Sequence, residues 1–214
     1  MISIIRRIES KISDSILRYS IRYSIDCSLI RLISKVAGLK LKCMTANCTS
    51  LEDLVDLSYR FGFPPFLPSL FSIKPFQVKD ELLELLKLLL KLKPKAICEI
   101  GTAWGGCLYL FCRIAPKNAM IISIDLPGGP FGGGYPIWKI PLYKSFAKDN
   151  QTIHLIRANS HNPKTLELVK RILGNRMIDF LFIDGDHTYK GVKRDFEMYS
   201  PCLLYTSPSP RDRG

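Results

Sequence analysis

One segment, residues 96–107, limits this chain to a small set of folds. It reads Ala-Ile-Cys-Glu-Ile-Gly-Thr-Ala-Trp-Gly-Gly-Cys: an apolar run typical of a buried strand, then small residues typical of a tight turn into a helix. In an open α/β sheet, such a turn follows the carboxyl end of a strand, where ligands bind. The segment therefore predicts a cofactor-binding turn in which Gly101, Ala103 and Gly105 let the backbone approach a ligand.

Strand and helix patterns alternate from residue 78 to residue 201. They predict strands at 95–100, 120–125, 152–157 and 177–184, and helices at 78–92, 106–114, 137–148, 163–173 and 189–199. Such alternation predicts an α/β fold, a Rossmann-like doubly wound parallel sheet with right-handed crossovers. A complete fold of this type has more than four strands, so we expect the C-terminal strands to be missing and the fourth strand to lie at an unpaired hydrophobic edge.

Residues 1–60 predict a helical N-terminal segment before this domain. Isoleucine or leucine stands at positions 4, 8, 12 and 16 and again at 21, 25, 29 and 33, with serines and basic residues between them. Three placements are open for this stripe: against the domain, against a second subunit of a homo-oligomer, or on an anionic membrane surface through residues 1–40. A capping pattern at Ser50 predicts a further helix that ends near Arg60. The prolines of residues 61–77 predict a stiff linker.

Composition narrows the class of protein. The 214 residues include 31 Lys and Arg against 19 Asp and Glu, a formal net charge of +12. Acids alternate with the bases outside the N-terminal segment, so no dedicated nucleic-acid site is expected. The seven cysteines lack metal-ligand spacing, which favours free thiols in a reducing cytoplasm. No run reaches the ~18 apolar residues of a membrane-spanning helix, and no secretory signal is evident.

The last residues, 202–214, differ in character from the rest of the chain. They read Cys-Leu-Leu-Tyr-Thr-Ser-Pro-Ser-Pro-Arg-Asp-Arg-Gly, which resembles the in-frame translation of a sequencing adapter. We therefore expect an artefactual tail that truncates the domain, and we exclude it from the predicted fold. A natural Ser/Pro-rich disordered tail is the alternative.

Acidic residues stand at the predicted ends of three strands: Glu99, Asp125 and Asp184. The carboxyl ends of parallel strands meet at one edge of a sheet, so these acids are expected to converge.

Two cofactor classes compete for such a site. A dinucleotide site needs G-x-G-x-x-G, and the chain matches this pattern only in a relaxed form with alanine at the second glycine. An acidic cluster repels a pyrophosphate but suits a ligand with a sulfonium, an ammonium and two ribose hydroxyls.

Four stretches, 97–106, 124–129, 158–161 and 182–191, resemble class I S-adenosylmethionine-dependent methyltransferases. Within that class they are most similar to the cephalosporin-hydroxylase-like and methyltransferase-24-like group, and the resemblance covers residues 75–201. It implies methyl transfer from S-adenosylmethionine to an oxygen of a small-molecule, sugar or lipid-like acceptor. It also implies cofactor contacts: Glu99, Gly101 and Ala103 with the methionine part, Thr102 and Gly105 in the same turn, Asp125 with the ribose, Asn159 and Ser160 beside the adenine, and Gln77 facing the cofactor.

The residues after the fourth strand, Asp184-Gly-Asp-His, offer groups for chemistry. His187 is the first candidate for a general base because its ordinary pKa is near neutral, with Asp184 and Asp186 beside it. These two acids are also candidate Mg²⁺ ligands, as in metal-dependent O-methyltransferases. A third interpretation of this stretch is a tight turn in which Asp186 caps the next helix.

Several interpretations stay open. The relaxed glycine motif also fits an NAD(P)-dependent oxidoreductase, and the basic N-terminal segment also fits a non-catalytic membrane-surface or adaptor module. The glycine-rich loop 126–136 is either a lid over the cofactor or a flexible connection. His154, inside a predicted strand, is expected to be structural, and His161, in a loop, is expected to be solvent-exposed.

Overall fold

A computed structural model describes residues 28–65, 68–129 and 133–204. In these ranges the helices are α1 Ser28–Ala46, α2 Leu51–Arg60, α3 Lys79–Leu92, α4 Gly106–Ile114, α5 Ile140–Lys144, α6 Pro163–Leu173 and α7 Tyr189–Tyr199. The strands are β1 Ala96–Ile100, β2 Met120–Asp125, β3 Thr152–Arg157 and β4 Phe180–Ile183. Short 3-10 turns occupy Pro68–Phe71, Ile137–Lys139 and Ser200–Cys202.

The four strands form one parallel sheet in the order β3-β2-β1-β4. Their side chains alternate between two cores. Ile97 and Ile121 face a core shared with α3 and α4, whereas Cys98 and Ile122 face a core shared with α6 and α7. Because both faces are covered, the strands are apolar without alternation, as is usual in parallel sheets. The predicted α/β, Rossmann-like doubly wound sheet is confirmed.

Two elements differ from the prediction by more than one residue. The helix expected at 137–148 is a 3-10 turn followed by five helical residues, because Pro141 lacks a backbone N–H and starts the helix anew. The fourth strand begins at Phe180 instead of residue 177. Just before it, the Asp179 carboxylate accepts hydrogen bonds from the backbone N–H groups of Lys95 and Ala96, at 2.6 and 2.9 Å.

The edge strand β4 is partly covered. Phe180 and Phe182 pack edge-on against Phe111 of α4, with ring centroids 5.6 and 5.3 Å away. Residues 202–204 also contact this part of the domain, since Leu203 forms a parallel bridge with Ile178 and the Leu204 N–H donates to the Ile178 carbonyl at 2.9 Å. Residues 205–214 lie outside the described ranges.

The described part of the N-terminal segment packs on the domain. In α1, Ala37 and Leu41 are buried, and Ser34 Oγ accepts a hydrogen bond from the Leu142 N–H at 3.0 Å. The first 27 residues of the predicted helical stripe lie outside the described ranges. In the predicted linker, Phe71 and Ile73 are fully buried, so this segment contributes to the core. No helix in the described ranges is long and apolar enough to cross a membrane.

The predicted cap of α2 is confirmed and supports a prediction. The Asp53 N–H donates to Ser50 Oγ at 3.0 Å, and the Ser50 N–H donates to Asp53 Oδ2 at 3.1 Å, which together form a capping box. We expect Ser50→Ala to lower the free energy of unfolding by about 1 kcal/mol, measured by urea denaturation. Ser69→Ala, at an exposed site, is the control. Equal stabilities of the two variants would contradict the cap's contribution.

Candidate cofactor site

A cleft of about 160 Å³ lies at the carboxyl ends of the strands. The chain proceeds from β1 outward to β2 and β3 and then returns to β4 on the other side of β1, and such a reversal is where open α/β sheets bind ligands. Each of the four strands contributes residues to the cleft, at its carboxyl end or just beyond it. They include Gly101, Asp125, Asn159, Ser160, His161, Gly185 and Asp186.

The predicted site residues fall into two groups. Gly101, Asp125, Asn159, Ser160 and Asp186 line the cleft directly. The others do not line it; they are Glu99, Thr102, Ala103, Gly105, Gln77, Asp184 and His187. Several of this second group contact each other beside the cleft, around the ends of β1 and β4.

Glu99 is fully buried within β1. Its Oε2 accepts a hydrogen bond from Ser123 Oγ at 3.0 Å, whereas Oε1 has no hydrogen-bond partner in the described part of the chain. Burial raises the pKa of Glu99 to about 8; the Ser123 hydrogen bond opposes this shift, and the charges of Asp125 and Asp184 add to it. Asp125 and Asp184 therefore each lie close enough to interact with Glu99, and the buried oxygen of Glu99 that lacks a partner is suited to a cationic ligand.

Asp125 connects the turn after β1 to the glycine-rich loop. It accepts hydrogen bonds from the backbone of Tyr135, at 2.9 Å, and from the backbone of Thr102, Ala103 and Leu126. Burial raises the pKa of Asp125 to about 6, and these hydrogen bonds oppose the shift. Its carboxylate thus orders the protein's own backbone at the edge of the cleft.

The small residues of the turn are required by the protein's own packing. At Gly101, with φ of +96°, an added Cβ would lie 2.2 Å from the Asp184 carbonyl oxygen. At Gly105, with φ of +83°, it would lie 2.7 Å from the Tyr143 ring, whose hydroxyl donates to the Ala103 carbonyl at 3.0 Å. The close approaches at Gly101 and Gly105 are therefore made by neighbouring segments of the chain.

Asp184 belongs to a hydrogen-bonded chain of side chains. Gln77 Nε2 donates to Asp184 Oδ2 at 2.5 Å, and Cys107 Sγ donates to Gln77 Oε1 at 2.8 Å. Burial raises the pKa of Asp184, while His187 and the Gln77 hydrogen bond oppose the shift. His187 is 59% exposed, and its Nδ1 lies 4.0 Å from Asp184 Oδ1. An exposed imidazole beside a carboxylate can take a proton from a molecule in solution.

Asp186 organises the start of α7. Its Oδ1 accepts the Thr188 N–H at 2.9 Å, and this backbone hydrogen bond contributes most to lowering the pKa of Asp186. A Cβ at Gly191 would lie 2.0 Å from the Asp186 carboxyl carbon. The cap of α7 is Thr188, whose Oγ1 accepts the Gly191 N–H at 3.0 Å, so the interpretation of Asp186 as the helix cap is wrong. Asp186 belongs to the turn before the helix. In the described ranges no group of three His, Cys, Asp or Glu side chains could hold a metal ion, so Mg²⁺ binding stays a prediction.

The prediction that His161 is solvent-exposed is wrong. Its side chain is only 19% exposed, it lines the cleft, and its Nε2 lies 3.3 Å from Oδ1 of Asp195, a residue that the sequence did not single out. The two residues are far apart in sequence, so no local pattern connects them. One signal was available: Asp195 lies four residues from both Gly191 and Tyr199, on the buried stripe of α7.

Parts of this chain are similar to known proteins. The chain is 27% identical over 115 residues to the uncharacterized protein y4gI of Sinorhizobium fredii, a match that covers 52% of this chain and 12% of that protein. A putative caffeoyl-CoA O-methyltransferase from Staphylococcus aureus superposes with a TM-score of 0.49 at 20% identity, covering 78% of this chain and 68% of that one. An O-methyltransferase from Bacillus cereus, solved in complex with SAH, superposes with a TM-score of 0.46 at 14% identity, covering 81% and 70%.

A protein-family comparison identifies the domain. The family model Methyltransf_24, described as a methyltransferase domain, matches residues 98–207, which include the end of β1, the residues that line the cleft, and α7. This match confirms the resemblance to S-adenosylmethionine-dependent methyltransferases that the sequence indicates. Because it spans more than half of the 214 residues, the chain belongs to this methyltransferase domain family.

Proposed function

We propose that this protein transfers a methyl group from S-adenosylmethionine to an oxygen of a small-molecule, sugar or lipid-like acceptor. One observation carries the proposal: Glu99 is fully buried, has a carboxylate oxygen without a hydrogen-bond partner in the described residues, and interacts with Asp125 and Asp184. A buried acid is costly unless a cation or a hydrogen-bond donor meets it. The sulfonium and ammonium groups of S-adenosylmethionine would supply the positive charge.

The contacts at the start of α4 disfavour the nicotinamide alternative. A dinucleotide places its pyrophosphate at the N-terminus of the helix that follows the first strand. In this structure, an added Cβ at Gly106 would lie 2.3 Å from the Ile73 carbonyl and 2.6 Å from Pro75, so another segment of the chain already lies against that helix start. The acidic cluster also repels a pyrophosphate.

The proposed chemistry is an in-line displacement. When bound, S-adenosylmethionine supplies a methyl group on a good leaving group, so positioning by the site is worth on the order of 7–11 kcal/mol. The new bond forms between the acceptor oxygen and the methyl carbon as the sulfur–methyl bond breaks. We assign to His187 the proton of the acceptor hydroxyl, and to Asp184, 4.0 Å away, the stabilisation of the resulting imidazolium.

Further parts of the function stay proposals. Mg²⁺ on Asp184 and Asp186 would polarise an acceptor hydroxyl, and loss of activity on chelation, restored by added Mg²⁺, would support it. The sequence-based expectations of a cytoplasmic location, of a homo-oligomer and of membrane contact through residues 1–40 also stay predictions. The chain spans 12% of the length of its curated relative, so the activity of the whole protein is part of the proposal.

Calorimetry and a methyl-transfer assay test the function. We expect the full chain to bind S-adenosylhomocysteine and not NAD(P)H, and to methylate members of a panel of hydroxylated acceptors. His187→Ala is expected to lower the transfer rate by about 10²–10⁴-fold, because a general base is worth that much, with little change in S-adenosylhomocysteine affinity.

His154→Ala serves as the control for the loss of an imidazole. His154 lies in β3 and borders a separate cleft, which Lys95 and Arg176 also line. This cleft lies near the residues that precede β1 and β4. Replacing His154 is expected to leave the transfer rate within about twofold of the wild-type rate, since His154 contacts no reacting group. Binding of NAD(P)H in place of S-adenosylhomocysteine would overturn the proposed function.

A further inference from the structure

We propose that the outward side of α1 docks the protein on an anionic lipid surface, with its apolar side chains in the headgroup region and its lysines beside lipid phosphates. The sequence left three placements open for the N-terminal segment. For residues 28–46 the structure favours one of them, because it shows which side of α1 the domain covers and which charges border the other side. The inference does not depend on the proposed methyl transfer.

One side of α1 is fixed on the domain. Ala37 is fully buried, and an added Cβ at Gly38 would lie 2.4 Å from Ser145 Oγ, so the helix backbone approaches the end of α5 closely. Near the other end of the helix, Thr45 Oγ1 and Tyr109 Oη are hydrogen-bonded at 2.7 Å. The domain therefore sets the rotation of α1 about its axis, and the opposite side of the helix faces outward.

The outward side of α1 carries an apolar stripe. Leu32, Val36 and Leu39 are 57%, 44% and 63% exposed. Their spacing of four and three residues places them on one side of a helix, and exposed Cys43 continues the same spacing. At 1.5 Å per residue the stripe from 32 to 43 is ~16 Å long. A contiguous row of exposed apolar side chains on a folded domain indicates a surface that binds a partner.

The stripe is bordered by cations. The sequence of α1 contains four basic residues and no acid. At 100° per residue, Lys35 and Lys42 lie on one side of the stripe and Lys40 on the other. All three lysines are exposed, and the ion pairs within the described ranges do not include them. Leucines in the middle and lysines at the borders are typical of a helix that lies in the membrane interface.

The acids that follow α1 in the chain are engaged elsewhere. They lie in α2, where Asp56 pairs with Lys79 and Glu52 acts electrostatically on Lys87, both of them lysines of α3. Asp53 closes the capping box of its own helix. The other elements on which α1 packs, α5 and the 3-10 turn before it, hold two lysines and no acid. Within the described residues, the surroundings of the stripe are therefore positively charged.

This charge favours an anionic surface over a second copy of the chain. In a pair of α1 helices the lysines of both copies would border the same seam, whereas stable helix pairs place opposite charges there. Like charges across an interface oppose association. An anionic leaflet instead attracts each lysine, which is worth about fivefold in partitioning. In the described ranges no helix is long and apolar enough to cross a membrane, so α1 would lie along the surface.

Vesicle sedimentation of the full chain tests this surface. Vesicles made from a two-to-one mixture of phosphatidylcholine and phosphatidylserine are compared with vesicles of phosphatidylcholine alone. We expect the wild-type protein to bind the mixed vesicles at least about 10-fold more tightly. Salt at about 0.5 M is expected to remove most of this difference, because it shortens the range of interactions between exposed charges.

Variants of α1 separate this helix from the net charge of +12, which by itself attracts the chain to an anionic vesicle. The combined change Lys35→Gln, Lys40→Gln and Lys42→Gln is expected to weaken binding to mixed vesicles by about 100-fold. Leu39→Asn is expected to weaken it by about 10-fold, since a leucine side chain removed from water contributes about that much.

Matched controls place the same changes on the opposite face of the sheet, where α6 and α7 pack. Lys164→Gln, Lys170→Gln and Lys190→Gln together remove equal charge from exposed positions, and they are expected to change binding by less than about threefold. Leu168→Asn, at a side chain of α6 that is 38% exposed, is expected to leave binding within about twofold.

Several results would overturn the proposal. They are the absence of vesicle binding, equal binding to the two kinds of vesicle, and variants of α1 that bind like their controls. If ultracentrifugation without lipid shows a dimer that Leu39→Asn dissociates, a second copy covers the stripe instead. Circular dichroism verifies the fold of each variant, and if one α1 variant does not fold, the other decides. Because no cofactor is used, failure of the proposed methyl transfer would leave this result unchanged.

Discussion

Replacing Glu99 by Gln is expected to weaken cofactor binding strongly and, at the same time, to make the folded protein more stable. The substitution keeps the shape of the side chain and removes an ionisable carboxyl group that is fully buried in β1. Losing one partner of a buried charge pair typically costs about 2–5 kcal/mol, so affinity for S-adenosylhomocysteine is expected to fall by about 30-fold or more, measured by calorimetry.

The gain in stability follows from the raised pKa of Glu99, which is about 8 in the folded protein against the ordinary value of 4.5 for a glutamate side chain. Between these two pH values the unfolded chain has released the proton that the folded protein still holds, so the contribution of Glu99 to stability falls as pH rises. Glutamine removes this dependence. At pH 8 we expect Glu99→Gln to raise the free energy of unfolding by on the order of 1–3 kcal/mol.

Glu197→Gln is the matched control, since it removes the same charge from a side chain that is mostly exposed on α7. It is expected to change stability by less than about 0.5 kcal/mol and to leave binding intact. Urea denaturation at pH 5 and pH 8 distinguishes the two variants. If Glu99→Gln binds S-adenosylhomocysteine like the wild-type protein, the acidic cluster is not the cofactor's electrostatic partner.

Replacing Gly101 by Ala is expected to give the second large effect. Its Cβ would lie 2.2 Å from the carbonyl oxygen of Asp184 and 2.8 Å from the backbone nitrogen of Gly185, and φ at this position is +96°. Neither backbone atom can move without separating the ends of β1 and β4. Backbone strain and overpacking each cost about 1–3 kcal/mol. We therefore expect a loss of about 2–6 kcal/mol, a large part of the 5–15 kcal/mol that stabilises a typical domain.

Gly174→Ala separates the two contributions to that loss. Gly174 also has a positive φ, +60°, but an added Cβ there meets nothing within 4 Å. Its replacement is expected to cost only the backbone strain of this sparsely populated conformation, about 1–3 kcal/mol. Urea denaturation followed by circular dichroism measures both variants. Equal losses would show that Gly101 is needed for its backbone conformation alone and not for the contact between the two strands.

Much of the fold follows from local patterns along the chain. The bounds predicted for α4, β2, β3, α6 and α7 are those of the structure. Each of these elements has a clear apolar period and an end signal such as Gly105 before α4 or Pro163 at the start of α6. The exception, at 137–148, shows where local reasoning fails: apolar periodicity favoured a long helix, but Pro141 interrupts its hydrogen bonds.

The candidate site was predictable to a lesser degree. Acids at strand ends indicate convergence because parallel strands end at the same edge, and the structure places Asp125 and Asp184 within electrostatic reach of Glu99. The roles of individual residues did not follow from the pattern. Gly101 meets the backbone of Asp184, more than 80 residues away, and spacing along the sequence carries no information about such a contact.

Sequence alone was enough to establish the order of strands and helices along the chain, the parallel sheet covered on both faces, and the family resemblance. These follow from periodicity, caps and motifs, which are properties of neighbouring residues. Only the tertiary structure decided which oxygen of Glu99 lacks a partner, and that His161 faces Asp195 instead of solvent. Burial and hydrogen bonding depend on residues brought together from distant parts of the chain, and they set the charge state and orientation of each side chain in the site.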